Sequence, residues 1–157
     1  MSSLTASNPT WDADRIEIRD VVDRYAHHAD RRQPAEQAAV FTEDGTVLLY
    51  EGDPNATGPV QTVSGRAALE STFAGLIAQY DMTTYLNGQS TLVRTGPVTA
   101  TGETYCLAYH LLHDGEQRVL LTMAIRYLDS FAKVDGSWFI AERKLVFDWT
   151  DRRPSQP

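Results

Sequence analysis

The chain places apolar side chains at Ile18, Val21, Val22, Tyr25, Ala26 and Ala29, three or four positions apart, which predicts an amphipathic helix over 14–30. Asp14 and Glu17 stand at capping-box spacing at its start. Pro34, whose fixed φ suits a first turn, predicts a short second helix ending near Phe41. Glu43-Asp44-Gly45 then reads as a turn, 46–50 as a strand, Gly52 to Gly58 as a loop and 60–63 as a short strand pairing back. Leu69, Phe73, Leu76, Ile77 and Tyr80 restore the helical period and predict a third helix over 65–80.

After Tyr80 the period changes. Runs rich in β-branched and aromatic residues predict four long strands over 83–94, 98–112, 118–133 and 137–148. Thr95-Gly96-Pro97, Asp114-Gly115 and Asp135-Gly136 separate them as hairpin turns, so consecutive strands pair antiparallel. This order predicts an α+β domain: one strongly bent, cone-shaped sheet with the helices on its concave side. The expected organisation is an N-terminal arm at 1–13, a single domain at 14–150 and a loose polar tail at 151–157.

Composition sharpens this picture. With 157 residues, 42% hydrophobic and 22% charged, the chain has room for one folded domain and not two. Its net charge of −7, with Lys and Arg scattered, sets it against nucleic acid and anionic membrane surfaces as partners. The polar first ten residues and the lack of a bilayer-length apolar run lead to the expectation of a cytoplasmic protein. Cys106, the single cysteine, has no disulfide partner within the chain, and no Cys or His lies near it at zinc-ligand spacing. With no phosphate loop or nucleophile motif either, neither a metal nor a cofactor is expected.

Ile18-Arg-Asp20 in the first helix, Asp30-Arg-Arg-Gln33 at its end, Phe41-Thr-Glu-Asp-Gly45 and Asp135-Gly-Ser-Trp138, in this element order, resemble the SnoaL-like branch of the nuclear-transport-factor-2-like superfamily. That branch includes scytalone dehydratase and hexachlorocyclohexane dehydrochlorinase. The resemblance covers nearly the whole chain. It implies a mixed, mainly antiparallel sheet closed by three helices into an α-β barrel or cystatin-like roll around a pocket. It also implies cofactor-free lyase chemistry, in which an Asp ending the first helix holds a proton-abstracting His on the first long strand. Asp30 matches the Asp, whereas the His position falls within Thr84-Tyr-Leu-Asn-Gly-Gln89, where Tyr85 is the best match and Thr84 the next.

The candidate catalytic residues are therefore Asp30, Tyr85 and His110. Asp30 lies at the margin of the helical stripe beside Ala26, so its carboxylate either points into the domain as a base or starts the turn at Arg31. Tyr85 is either a phenol donor to a developing oxyanion or a core aromatic. His110 alternates in phase with Thr104, Cys106 and Ala108, and the resemblance turns that face toward the cavity. It is either the missing base or a histidine at the rim or a subunit interface.

Candidate substrate-binding residues are Tyr25, Cys106, Met123, Tyr127, Arg143 and Phe147, a largely apolar lining suited to a small hydrophobic molecule. The resemblance places Arg143, Tyr127 and Phe147 toward the pocket. An inward Arg143 needs a partner: Asp30, a substrate anion, or a structural acid such as Glu103 or Glu142. His27 and His28 read as surface or boundary residues. Three readings follow: a lyase or isomerase of dehydratase, dehydrohalogenase or polyketide-cyclase type, a non-catalytic ligand-binding or accessory subunit, or a purely structural assembly unit. The open sheet face leads to the expectation of a homodimer or homotrimer.

Overall fold

The stripe from Ile18 to Ala29 is buried along its length in the computed structural model, which describes residues 9–156. It belongs to helix α1 (Pro9–Asp30), longer at its start than the spacing predicts. Of the expected arm, residues 1–8 lie outside the described residues, while 9–13 are helical. Pro9 and Asp12 suit a first turn, one by its fixed φ and the other by its charge at the positive end of the helix dipole. Asp14 is no cap: it is buried, accepting hydrogen bonds from Trp138 Nε1 at 2.9 Å and Lys133 Nζ at 3.0 Å. Glu17 accepts the Trp138 amide at 3.0 Å. The capping-box pair instead pins α1 to the last hairpin.

The order continues with α2 (Pro34–Ala39), β1 (Phe41–Tyr50), β2 (Gln61–Ser64), α3 (Arg66–Ile77), β3 (Met82–Gly96), β4 (Thr99–Asp114), β5 (Gln117–Val134) and β6 (Ser137–Pro154). Phe41 opens β1 rather than closing α2, and Glu43-Asp44-Gly45 is not a turn but part of that strand. The register against β6 shifts between Phe41 and Thr46, so these residues form an irregularity of the bulge kind. A Cβ at Gly45 would stand 2.7 Å from Phe41 Cβ. The predicted tail also shortens, because β6 pairs with β5 as far as Pro154, opposite Val119.

The strands form one sheet in the order β2-β1-β6-β5-β4-β3. The β1–β6 pair is parallel and the others antiparallel, so the sheet is mixed and mainly antiparallel. It curves without closing, and three helices accompany it. The β5–β6 hairpin turns on Asp135 and Gly136 alone, with φ of 50° and 83°, the doubly positive geometry that a two-residue turn of this twist demands. Within the concave side Tyr25 meets Phe41, Phe73 and Tyr127 edge-on, at centroid distances of 5.6–6.0 Å. Among the described residues no helix is long and apolar enough to cross a membrane.

Candidate active site

Asp30 is the last residue of α1, and its carboxylate reaches the start of β3. Thr83 Oγ1 donates to Oδ1 at 2.9 Å, and the Tyr85 amide donates to both oxygens at 3.1 and 3.2 Å. Asp30 thus bonds β3 rather than the turn amides after it. Burial pushes its pKa up, against the stabilising bonds from Tyr85 and Thr83. Thr84, the second sequence match for the histidine position, is exposed, and its neighbour Thr83 holds Asp30 instead.

Alternation carries Tyr85 to the same face as Thr83. In the β3–β4 register Thr83 opposes His110 and Tyr85 opposes Ala108, so Tyr85 and His110 are diagonal neighbours on one face. Their side chains meet, Tyr85 Oη lying 3.3 Å from His110 Nε2. On the other side of the ring, Nδ1 is 3.3 Å from the Leu121 carbonyl oxygen, which can only accept. That contact assigns the ring hydrogen to Nδ1 and leaves Nε2 to accept from the Tyr85 phenol. Burial lowers the His110 pKa, so the neutral ring is favoured, and burial likewise lifts Tyr85 well above the ordinary phenol range. His110 is only 2% exposed, an interior residue and not a rim one.

Arg143, also fully buried, is not the partner of Asp30. Asp129, directly opposite across β5–β6, takes Nε and Nη2 in a fork at 2.8 Å each. Glu103, one of the acids weighed from sequence, pairs with Arg126. The guanidinium of Arg143 lies 3.7 Å from the Tyr127 ring centroid and 4.3 Å from that of Tyr25. Burial alone would lower the Arg143 pKa, but Asp129 outweighs it and raises the value, so the group stays charged. Among the described residues, Arg143 Nη1, Tyr127 Oη and Gln37 Oε1 are buried without a hydrogen-bond partner.

Cys106 is buried two residues along β4 from Ala108, with its thiol pKa raised by burial. Met123 opposes Ala108 on β5, and Phe147 opposes Ile125 on β6, both half-buried against the core. The structure therefore brings together two groups on the concave side, Asp30–Thr83–Tyr85–His110 and Tyr25–Tyr127–Arg143–Asp129. Tyr85 has Tyr25 and Cys106 among its electrostatic neighbours, which links them. Sequence reasoning missed Asp129, Thr83 and Tyr80. Asp129 was within reach, since it sits between Tyr127 and Phe131 in the two-residue period of a buried face. Tyr80, whose ring centroid lies 4.4 Å from that of His110, gave no such signal beyond its place on the third helical stripe. Among the described residues no group of three His, Cys, Asp or Glu side chains gathers as metal ligands.

The SnoaL-like domain family matches residues 13–144. Among solved structures, a scytalone dehydratase candidate from Novosphingobium aromaticivorans DSM 12444 is 25% identical, with 95% of each chain covered and a TM-score of 0.78. The type-3 hexachlorocyclohexane dehydrochlorinase of Novosphingobium barchaimii LL02 is 17% identical, covering 95% of this chain and 94% of its own, with a TM-score of 0.75. A Nostoc punctiforme PCC 73102 protein of unknown function with a cystatin-like fold is 16% identical, covering 87% and 92%, with a TM-score of 0.64. No curated protein matches the sequence.

Proposed function

Because the chain belongs to the SnoaL-like domain family, we propose that it is a cofactor-free lyase or isomerase working by acid–base catalysis on a small hydrophobic molecule bearing an oxygen function. The observation that carries this reading is the contact between Tyr85 Oη and His110 Nε2, with Nδ1 committed to the Leu121 carbonyl. A substrate oxygen entering the site competes for the phenol hydrogen. When Tyr85 turns its O–H toward that oxygen, the Nε2 lone pair is released and takes a proton from the adjacent carbon. The carbon–hydrogen electrons form the new double bond as charge moves onto the departing hydroxyl or halide or onto the carbonyl oxygen, which Tyr85 stabilises. The imidazolium then returns its proton to the leaving group, or to another carbon in an isomerisation. Elimination of water or halide, double-bond shift and ring closure all use these parts, and the dehydratase and dehydrochlorinase names among the structural neighbours support that range.

In this reading Asp30 holds Tyr85 in place through its amide. Tyr25, Cys106, Met123, Tyr127, Arg143 and Phe147 surround the substrate, with the Asp129-bound guanidinium as a fixed positive charge. A second reading, a non-catalytic binding protein, is favoured by one observation: Tyr25, Cys106, Tyr127 and Arg143 are buried, so the concave side is well filled. The two separate on pH–rate profiles over a panel of small cyclic hydroxy-ketones and halides. The neutral His110 is the active form, so kcat/KM should fall as pH drops through its lowered pKa, below the ordinary value of about 6.5. Tyr85→Phe and His110→Gln should each reduce turnover by roughly 10²–10⁴-fold. Unchanged turnover in both variants would remove the acid–base assignment.

A further inference from the structure

The first helix ends in a turn that ought to contain glycine. Gln33 N donates to His28 O at 2.9 Å and Arg32 N to Ala29 O at 3.1 Å, the paired bonds of a Schellman motif. Arg32 occupies the left-handed position of that motif at φ 59°, a conformation side chains rarely adopt. What the arginine adds is its guanidinium. Nη1 donates to Tyr80 O at 3.0 Å and Nη2 to Ile77 O at 3.1 Å, so Arg32 caps the carbonyl end of α3. Two residues earlier, Asp30 grips Thr83 and Tyr85. The end of α1 therefore holds both flanks of the α3–β3 corner, and Tyr80 lies between them with its ring against His110, tilted by 47°.

We propose that Tyr80 is a positioning residue of the Tyr85–His110 site, laid over the imidazole by Arg32, and that this clamp keeps water from the ring and fixes Nε2 toward Tyr85. The inference rests on the acid–base reading above, but its test does not need turnover. Thr83 stands directly opposite His110 in the β3–β4 register, its hydroxyl turned to Asp30. Tyr85 meets it from β3, Tyr80 from the corner, the Leu121 carbonyl from β5 and the Ala108 backbone from its own strand, and no charged neighbour contributes to its shift. The nearest element of α1 contributes Asp30, which is engaged by Thr83 and the Tyr85 amide. Water exclusion is then the main influence on its proton, and Tyr80 is the half-buried part of that enclosure.

The experiment is an NMR titration of the His110 Cε1–H signal in the full, unliganded chain, assigned by its loss in His110→Gln. Tyr80→Phe keeps the ring and should leave the midpoint unmoved. Tyr80→Ala should raise the midpoint toward the ordinary histidine value of about 6.5 and shift the signal itself by removing a ring current. Arg32→Gly relieves the left-handed backbone while removing the guanidinium, and should raise the midpoint in the same direction without loss of thermal stability. A merely structural Arg32 would change only the thermal stability and leave the His110 midpoint where it is. An unmoved midpoint in folded Arg32→Gly and Tyr80→Ala would overturn the clamp. If Tyr80→Ala does not fold, Arg32→Gly, made at an exposed residue in a backbone suited to glycine, decides alone. A raised midpoint in a protein inactive on every substrate would leave the clamp standing and remove only the catalytic reading.

Discussion

Asp30, at the end of α1, accepts hydrogen bonds from Thr83 and the Tyr85 amide while burial pushes its pKa up. Its place at the margin of the α1 stripe was legible, because helical spacing alone puts it beside the buried Ala26 and Ala29. Its partners were not, because they depend on where β3 begins relative to the helix end, a tertiary fact with no local signature. Asp129 is the opposite case: its alternation with Tyr127 and Phe131 was visible, but a carboxylate on a buried face has meaning only once Arg143 stands opposite. Asp30 also yields a prediction with a definite sign. Its folded-state pKa is raised above the unfolded value near 3.8, so between those two values the folded chain binds more protons than the unfolded one. Its contribution to stability is therefore greatest at low pH and declines as pH rises through the folded pKa. In Asp30→Asn that decline should vanish. Urea unfolding from pH 3.5 upward checks it: a variant whose pH dependence through the mildly acidic range matches the parent would show that Asp30 titrates alike in both states.

At the scale of elements, helices and long strands followed their periods, and the errors fell where one local signal serves two structures. Asp135-Gly136 was read as a hairpin and is one, since its flanking strands oppose each other residue by residue. Glu43-Asp44-Gly45 carries the same composition yet interrupts a strand without ending it, because β6 supplies a parallel partner on both sides of the irregularity. Glycine is required there for space and not for φ. The Gly45 carbonyl accepts from Gly65 N at 2.8 Å, tying the bulge to the start of α3, and a Cβ would overlap that of Phe41. Phe41 is fully buried and packs on Tyr25 and Phe73, so it has no room to retreat. Gly45→Ala should cost about 1–3 kcal/mol, the usual range for overpacking a filled core. Chemical denaturation measures it, and a loss below about 0.5 kcal/mol would mean that β1 shifts freely at this point.

The whole molecule presents a face that the fold leaves uncovered. Leu86, Leu107, Ala124 and Trp149 stand opposite one another in register across β3, β4, β5 and β6, on the side of the sheet away from His110. Leu86 is 57% exposed and Trp149 55%, and with Leu107 and Tyr105 they line a groove of about 350 Å³. At its edge Arg126 stacks on Tyr105 and joins Glu103 and Asp148, so both signs of charge border the apolar row. No single strand announces this row, since each contributes one residue and the strand order that aligns them is a property of the folded sheet. An apolar stripe flanked by paired charges suits a second copy of the same surface: a two-fold axis through the row sets leucine against leucine and offers each Arg126 an acid on its partner. We therefore propose that the chain associates through this face as a homodimer. Sedimentation velocity at micromolar concentration should show the oligomer. Leu107→Glu with Trp149→Glu should reduce it to monomer while the far-ultraviolet circular dichroism stays unchanged, because both side chains already face solvent in the single chain. A parent protein that sediments as a monomer, or a double variant that stays associated, would exclude this surface as the interface. Because the row lies on the opposite side of the sheet from Tyr85 and His110, the monomeric variant should also keep the pH–rate profile of the parent, which separates assembly from chemistry in one protein.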